Sequence, residues 1–324
     1  MTLTKKSDGL YVDDSINEML IKSDGIVFDC DGVLIDITKS YDLTINETTQ
    51  YVLENFAGIS NGIEIDSEII EGFKATGGFN DEVDVTYGAI ISIFAAKKLR
   101  KNQHDFIFDV INNADSTGIV SAEKYIENLV DISNIKEKLS YPGTHHQNPL
   151  YKIFDQMFYG PELYLKLFKN TSQFSKPGFI ENDVVILNES LIQKLKQKFS
   201  SKISIVTGRG KESVKFSLQN LLDEFDLKNS AFLEDEPREM AKPNPKSLLH
   251  SIIGMNCKNT IYVGDSMEDL IMAKKATASG HNTLFCGIVG TSKEPMKKLE
   301  LFEKNGAKLV LESIELLPKV LNLE

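Results

Sequence analysis

Asp29 and Asp31 stand two residues apart just after the apolar run Ile26-Val27-Phe28, and this pair is where chemistry first becomes visible in the chain. Side chains at i and i+2 of an extended segment project to the same side, so both carboxylates can address one reacting group. Two acids so placed suit covalent catalysis, one attacking as a nucleophile while the other protonates a leaving group and then activates water. Further along, Thr207 and the turn that follows it, Gly208-Arg209-Gly210, offer a hydroxyl and main-chain N–H groups to a phosphoryl oxygen. Lys242, flanked by Ala241 and Pro243, carries a positive charge suited to neutralising phosphate or crowded carboxylates. Asp265 and Asp269 are four apart where a strand gives way to a helix, so they face the same way; helix capping uses the same pattern. Convergence of Asp29, Asp31, Asp265 and Asp269 would be severely repulsive without a cation, and hard oxygen donors select magnesium, Mg2+.

The elements that must position these residues are short. Apolar runs at Gly25–Cys30, Lys202–Thr207, Ala231–Leu233, Thr260–Val263 and Thr283–Cys286 each end in acids, glycine or both, as buried parallel strands emerging into loops do. Helical patterns at Glu189–Phe199, Lys211–Phe225, Pro245–Ile253 and Met267–Ala276 alternate with them. Such alternation predicts an α/β fold, a parallel sheet with helices on both faces that binds ligands at the carboxyl ends of its strands. Residues 41–176 break the rhythm with amphipathic patterns, among them Asp42–Phe56, Glu82–Leu99 and Ala122–Val130, and no buried strand. They read as a mainly α-helical domain inserted into a core made of 1–40 and 177–324.

The succession DCDGVLID, IVTGRG, AKPNP and VGDSMEDL resembles the four ordered motifs of the haloacid dehalogenase superfamily. The insert after Asp36 stands where the helical cap lies in its subfamily IA, the phosphoglycolate-phosphatase-like branch, and is longer than the caps of that branch. The resemblance implies a Rossmann-like core, Asp29 as nucleophile and magnesium ligand, and Asp31 as general acid/base whose main-chain carbonyl also touches the metal. It further implies that Thr207 and Lys242 hold the phosphoryl group and that Asp265 ligates magnesium. Asp269 would complete the acidic metal cluster and orient Lys242, with Glu268 on the helix surface. Dehalogenases of similar fold lack the second aspartate of the pair, and pumps carry Asp-Lys-Thr, so phosphoryl transfer is expected.

Composition narrows the partners. The formal charge of -11 comes from 47 acids against 36 bases with no basic block, which disfavours nucleic acid. The longest apolar run, Ala89–Ala96, falls well short of the roughly 20 residues that span a bilayer. Aspartates interrupt the N-terminal stretch where a signal peptide needs an apolar segment, and Cys30, Cys257 and Cys286 have neither pairing nor metal-ligand spacing. A cytoplasmic protein with reduced thiols and no membrane partner is expected, its oligomeric state left open. Gly208 and Arg209 are candidate substrate-binding residues, Arg209 at the entrance. In the insert, the paired glycines of KATGGFNDEVD single out Lys74 and Asn80, although a helix-helix turn explains the same segment. His145 and His146 lack a third ligand at suitable spacing and read as a surface loop. The expected function is hydrolysis of a small phosphorylated metabolite; the alternatives are a sugar phosphomutase and a non-catalytic binding relative.

Overall fold

The computed structural model describes residues 3–79, 81–143 and 147–323, and Asn80, His145 and His146 lie outside them. The chain divides into two compact units, Met1–Thr38 with Asp183–Glu324, and Lys39–Asn182.

The first unit is built on an eight-stranded sheet of order β1-β2-β10-β9-β8-β3-β6-β7. Its strands are β1 (Thr4–Ser7), β2 (Leu10–Val12), β3 (Gly25–Phe28), β6 (Ile203–Thr207), β7 (Ala231–Phe232), β8 (Asn259–Gly264), β9 (Asn282–Ile288) and β10 (Leu309–Leu311). The run from β10 to β7 is parallel, and the β1-β2 hairpin adds two antiparallel strands at one edge. β3 is buried along its length, with Ile26 and Phe28 in the core on one face and Val27 in the core on the other. Burial on both faces is why its sequence is uniformly apolar rather than alternating. The chain passes from β3 outward to β6 and β7 and then returns to the other side of β3 for β8, which makes β3 the switch point of the sheet. Phe28 pairs with Ile205 on one neighbour and Val263 on the other, so the residues that follow all three strands emerge along one edge. β4 (Ile35–Asp36) and β5 (Val184–Val185) form a separate antiparallel ladder that joins the chain just before the second unit to the chain just after it.

The second unit is helical, with no strand among its described residues. Glu82–Leu99 is its central helix, apolar around its whole circumference and buried from Val83 through Ala96 apart from Asp84. Asp66, Asp81, Asn102 and Asn148 accept main-chain N–H bonds as N-caps of four of its helices, which is how the sequence sets where they begin. Its glycine pair serves packing: a Cβ on Gly78 would stand 2.3 Å from the Gly118 nitrogen, and one on Gly118, at φ +62°, 2.1 Å from the Gly78 carbonyl oxygen. Two backbones touch there, as only glycines allow. No helix among the described residues is long and apolar enough to cross a membrane. All three cysteines are free thiols, Cys30 and Cys286 buried in the first unit.

Candidate active site

Asp29 follows β3 directly, its main-chain N–H donating to the Val263 carbonyl at 2.8 Å. Its side chain is buried, and Oδ1 is fixed twice, by the Cys30 N–H at 2.8 Å and by Lys242 Nζ at 2.9 Å. Among the described residues no hydrogen bond reaches Oδ2. Burial pushes the Asp29 carboxyl up to about 8; Lys242 opposes this, while Asp269, Asp265 and Asp31 add to it. After Asp29 the chain tightens into a loop in which the Cys30 carbonyl accepts from the N–H groups of Leu34 and Ile35. Gly32 sits in that loop at φ +70°, and a Cβ on it would lie 2.3 Å from Asp265 Oδ2. Glycine is therefore required there both for the turn and for the approach of the loop to β8.

Lys242 bridges two carboxylates, Asp29 at 2.9 Å and Asp269 at 2.8 Å. Burial works against its charge, but Asp269 and then Asp29 outweigh it and hold the ammonium well above the ordinary lysine range. Asp269 is fully buried and saturated: Oδ1 accepts from Tyr262 Oη at 2.6 Å as well as Lys242, and Oδ2 from Ser266 Oγ and the N–H groups of Asp265 and Ser266. Burial raises its carboxyl, but Lys242 and these hydrogen bonds prevail and hold it low. Ser266 and Asp269 also form the capping box of helix Met267–Ala278, so the capping pattern and the chemical one are the same residues.

Asp265 pairs through Oδ2 with Lys298 Nζ at 2.8 Å. Thr207, fully buried, ends β6 and accepts the Arg209 N–H at 3.3 Å. Gly208 is exposed, with nothing within 4 Å of where a Cβ would stand, leaving main chain open to an anionic oxygen. The turn is held from behind by Glu234, which accepts the Gly210 N–H at 2.9 Å, and Asp235, which accepts that of Lys211 at 2.7 Å. Glu268 lies exposed on its helix.

Arg209 stands apart from its expected place. It does not line an entrance; its side chain is 4% exposed, with Nε 2.6 Å from Asp31 Oδ1 and Nη1 2.9 Å from Asp183 Oδ2. Asp269 takes its expected place: its carboxylate lies in a group with those of Asp29 and Asp265 whose oxygens are within 4.8 Å of one another, and it pairs with Lys242. Lys74, in the second unit, pairs with Glu82 at 3.2 Å. Lys298, Asp183, Ser217 and Tyr262 were not singled out from the sequence. Lys298 lies on an amphipathic helix rich in lysine, and nothing in the chain distinguishes it from its neighbours.

The donor set fits a divalent cation. Among the described residues the carboxylates of Asp29, Asp265 and Asp269 bring oxygens within 4.8 Å of one another, a crowding that a divalent cation would relieve. Asp29 and Asp265 are the carboxylates with oxygen to offer, and the Asp31 side chain is drawn to Arg209, which leaves its main-chain carbonyl. Oxygen donors of this kind suit magnesium.

Residues 186–277 match the family model of haloacid dehalogenase-like hydrolases. Phosphatase Tt82 of Thermococcus thioreducens shares the fold with a TM-score of 0.55 at 22% identity, over 87% of this chain and 99% of that one. A predicted phosphoglycolate phosphatase of Haemophilus somnus 129pt shares it with a TM-score of 0.51 at 14% identity, over 92% of this chain and 98% of that one. At such identities the likeness is one of fold. A protein of Phytophthora nicotianae named imidazoleglycerol-phosphate dehydratase is 22% identical over 307 residues, 91% of this chain; the chain spans about half, 52%, of that relative's length. The family match lies within the first unit, on the segment that carries Thr207, Lys242, Asp265 and Asp269, and that segment is similar to the haloacid dehalogenase-like hydrolases.

Proposed function

We propose that the protein is a magnesium-dependent phosphomonoester hydrolase that transfers the phosphoryl group of a small metabolite to Asp29 and then to water. The observation that carries this reading is the state of Asp29, a buried carboxylate with Oδ1 clamped by Lys242 and the Cys30 N–H. Oδ2 is then the oxygen that attacks phosphorus. As it bonds, the bond from phosphorus to the leaving oxygen breaks, and Asp31 supplies the proton that oxygen needs. In the second half Asp31 takes a proton from water, the water oxygen bonds to phosphorus, and the acyl phosphate opens to return Asp29 and inorganic phosphate. The Thr207 hydroxyl, the open main chain at Gly208 and the Lys242 ammonium hold the transferring oxygens. Magnesium, held by Asp29, Asp265 and the Asp31 carbonyl, would neutralise charge on the phosphoryl group and keep Asp29 ionised.

The inserted helical unit is the cap in this reading, admitting the substrate and excluding water, with Lys74 a candidate contact and Asn80 another. Phosphoglycolate, sugar phosphates, histidinol phosphate and imidazoleglycerol phosphate are the substrates to try, the last because of the Phytophthora relative's name. Phosphate release from this panel with magnesium, in wild type and Asp29→Asn, tests the proposal. Turnover that depends on the metal and disappears in Asp29→Asn is expected, with radiolabel trapped on Asp29 during wild-type turnover. Release that needs a bisphosphate primer would point to a mutase instead, and activity that survives in Asp29→Asn would sink the mechanism.

A further inference from the structure

We propose that Arg209 is a positioning residue that holds the Asp31 carboxylate on the β6 side of the site, with Asp183 and Ser217 as its anchors; this rests on the reading of Asp31 as the acid/base. The guanidinium is 4% exposed and spans three groups: Nε lies 2.6 Å from Asp31 Oδ1, and Nη1 2.9 Å from Asp183 Oδ2 and 3.1 Å from Ser217 Oγ. Ser217 Oγ in turn donates to Asp183 Oδ2 at 2.9 Å, closing a triangle at the far end. The guanidinium is a rigid plane, so fixing Nη1 fixes the direction of Nε. The root of the side chain is held as well, because the Arg209 N–H donates to Thr207 Oγ1.

Asp183 is matched in burial to its partner, its side chain 4% exposed, whereas Asp31 remains 26% exposed. One end of the arginine is therefore sealed into the fold and the other reaches an acid that still meets solvent. A buried guanidinium is tolerated only where its charge is met, and here Asp183 meets it whether or not Asp31 does anything. The consequence falls on Asp31. Its carboxylate is absent from the Asp29, Asp265 and Asp269 group that could hold a metal. Pulled toward β6, it stays clear of the metal donors and in one orientation for proton transfer.

The test uses Arg209→Lys, and the double variant Arg209→Met with Asp183→Asn, which removes both buried charges together and so protects the fold. Steady-state kinetics on an alkyl phosphate are compared with single-turnover phosphoryl transfer from p-nitrophenyl phosphate, whose leaving group needs no proton. For the alkyl phosphate kcat should fall by about 10²-fold or more, the size of a misplaced general acid, with KM little changed. The p-nitrophenyl rate should fall at least about tenfold less. A raised KM with kcat intact would instead make Arg209 a substrate contact, and equal losses on both substrates would leave it merely structural; either result overturns the proposal. Crystal structures of the same variants give a readout independent of turnover: the Asp31 carboxylate should leave its wild-type position, and its staying in place is fatal to the idea. If the wild type releases no phosphate from any phosphomonoester, the hydrolase reading fails and the crystal structures alone decide the role of Arg209.

Discussion

Asp29 carries a pH signature that belongs to a single residue. Its carboxyl is pushed up to about 8 by burial and three neighbouring carboxylates, against the pull of Lys242. In the unfolded chain the same group ionises near 3.9. The folded, metal-free protein thus keeps a proton that the unfolded chain has already released, and the stabilisation this brings is complete below the unfolded value. It is lost as pH rises through the window up to about 8. With a chelator present, the melting temperature of the wild type should decline from pH 5 to 8 more steeply than that of Asp29→Asn; parallel slopes would show that Asp29 is not the titrating group. Magnesium should flatten the wild-type curve, because binding displaces the proton below about pH 8. At this scale the types and spacings of Asp29, Asp31, Thr207, Lys242, Asp265 and Asp269 were legible, since Asp29, Thr207 and Asp265 stand where a strand meets a loop and Asp269 opens the helix that follows. The destination of Arg209 was not, because its partner Asp183 comes from the return of the chain after a long insertion. Nor could the saturation of Asp269 be read, as it depends on a Tyr262 hydroxyl from within β8.

At the scale of elements, the strands that sequence made plain are those buried on both faces, where an apolar run ends abruptly in glycine or acid. The β1-β2 hairpin escaped notice because β1 is an edge strand of exposed Thr4, Lys5 and Lys6; polar edges carry no buried pattern. β4 and β5, two residues each, are too short for any periodicity. The KATGGF segment was legible as a helix-helix turn, yet its counterpart, Gly118, was invisible until the backbones met. Gly118→Ala should destabilise the helical unit by about 1 to 3 kcal/mol from backbone strain alone, and more from the clash with Gly78. Chemical denaturation measures this, and a change within about 0.5 kcal/mol, as expected of an ordinary surface position, would show that the contact is not a constraint.

The whole molecule is a sheet interrupted once. The units Met1–Thr38 with Asp183–Glu324, and Lys39–Asn182, have hydrophobic cores of their own. Joining residue 38 to residue 183 through a short Gly-Ser link should therefore leave a soluble, cooperatively folding core that binds magnesium and shows weak, unselective phosphatase activity. Calorimetry and phosphate release would check both parts, and an aggregated or non-cooperative product would show that the core needs its insertion. The β4-β5 ladder is the reason to expect success, because Ile35 pairs with Val185 and Asp36 with Val184. Those pairs already bring the ends of the interruption together, so the sheet scarcely registers what is threaded between them. Chain-closure entropy rises only logarithmically, about 0.6 kcal/mol for each doubling of loop length. An ancestor could thus have exchanged or lengthened everything between residues 38 and 183 while its acids stayed fixed, letting substrate preference drift across generations without rebuilding the chemistry.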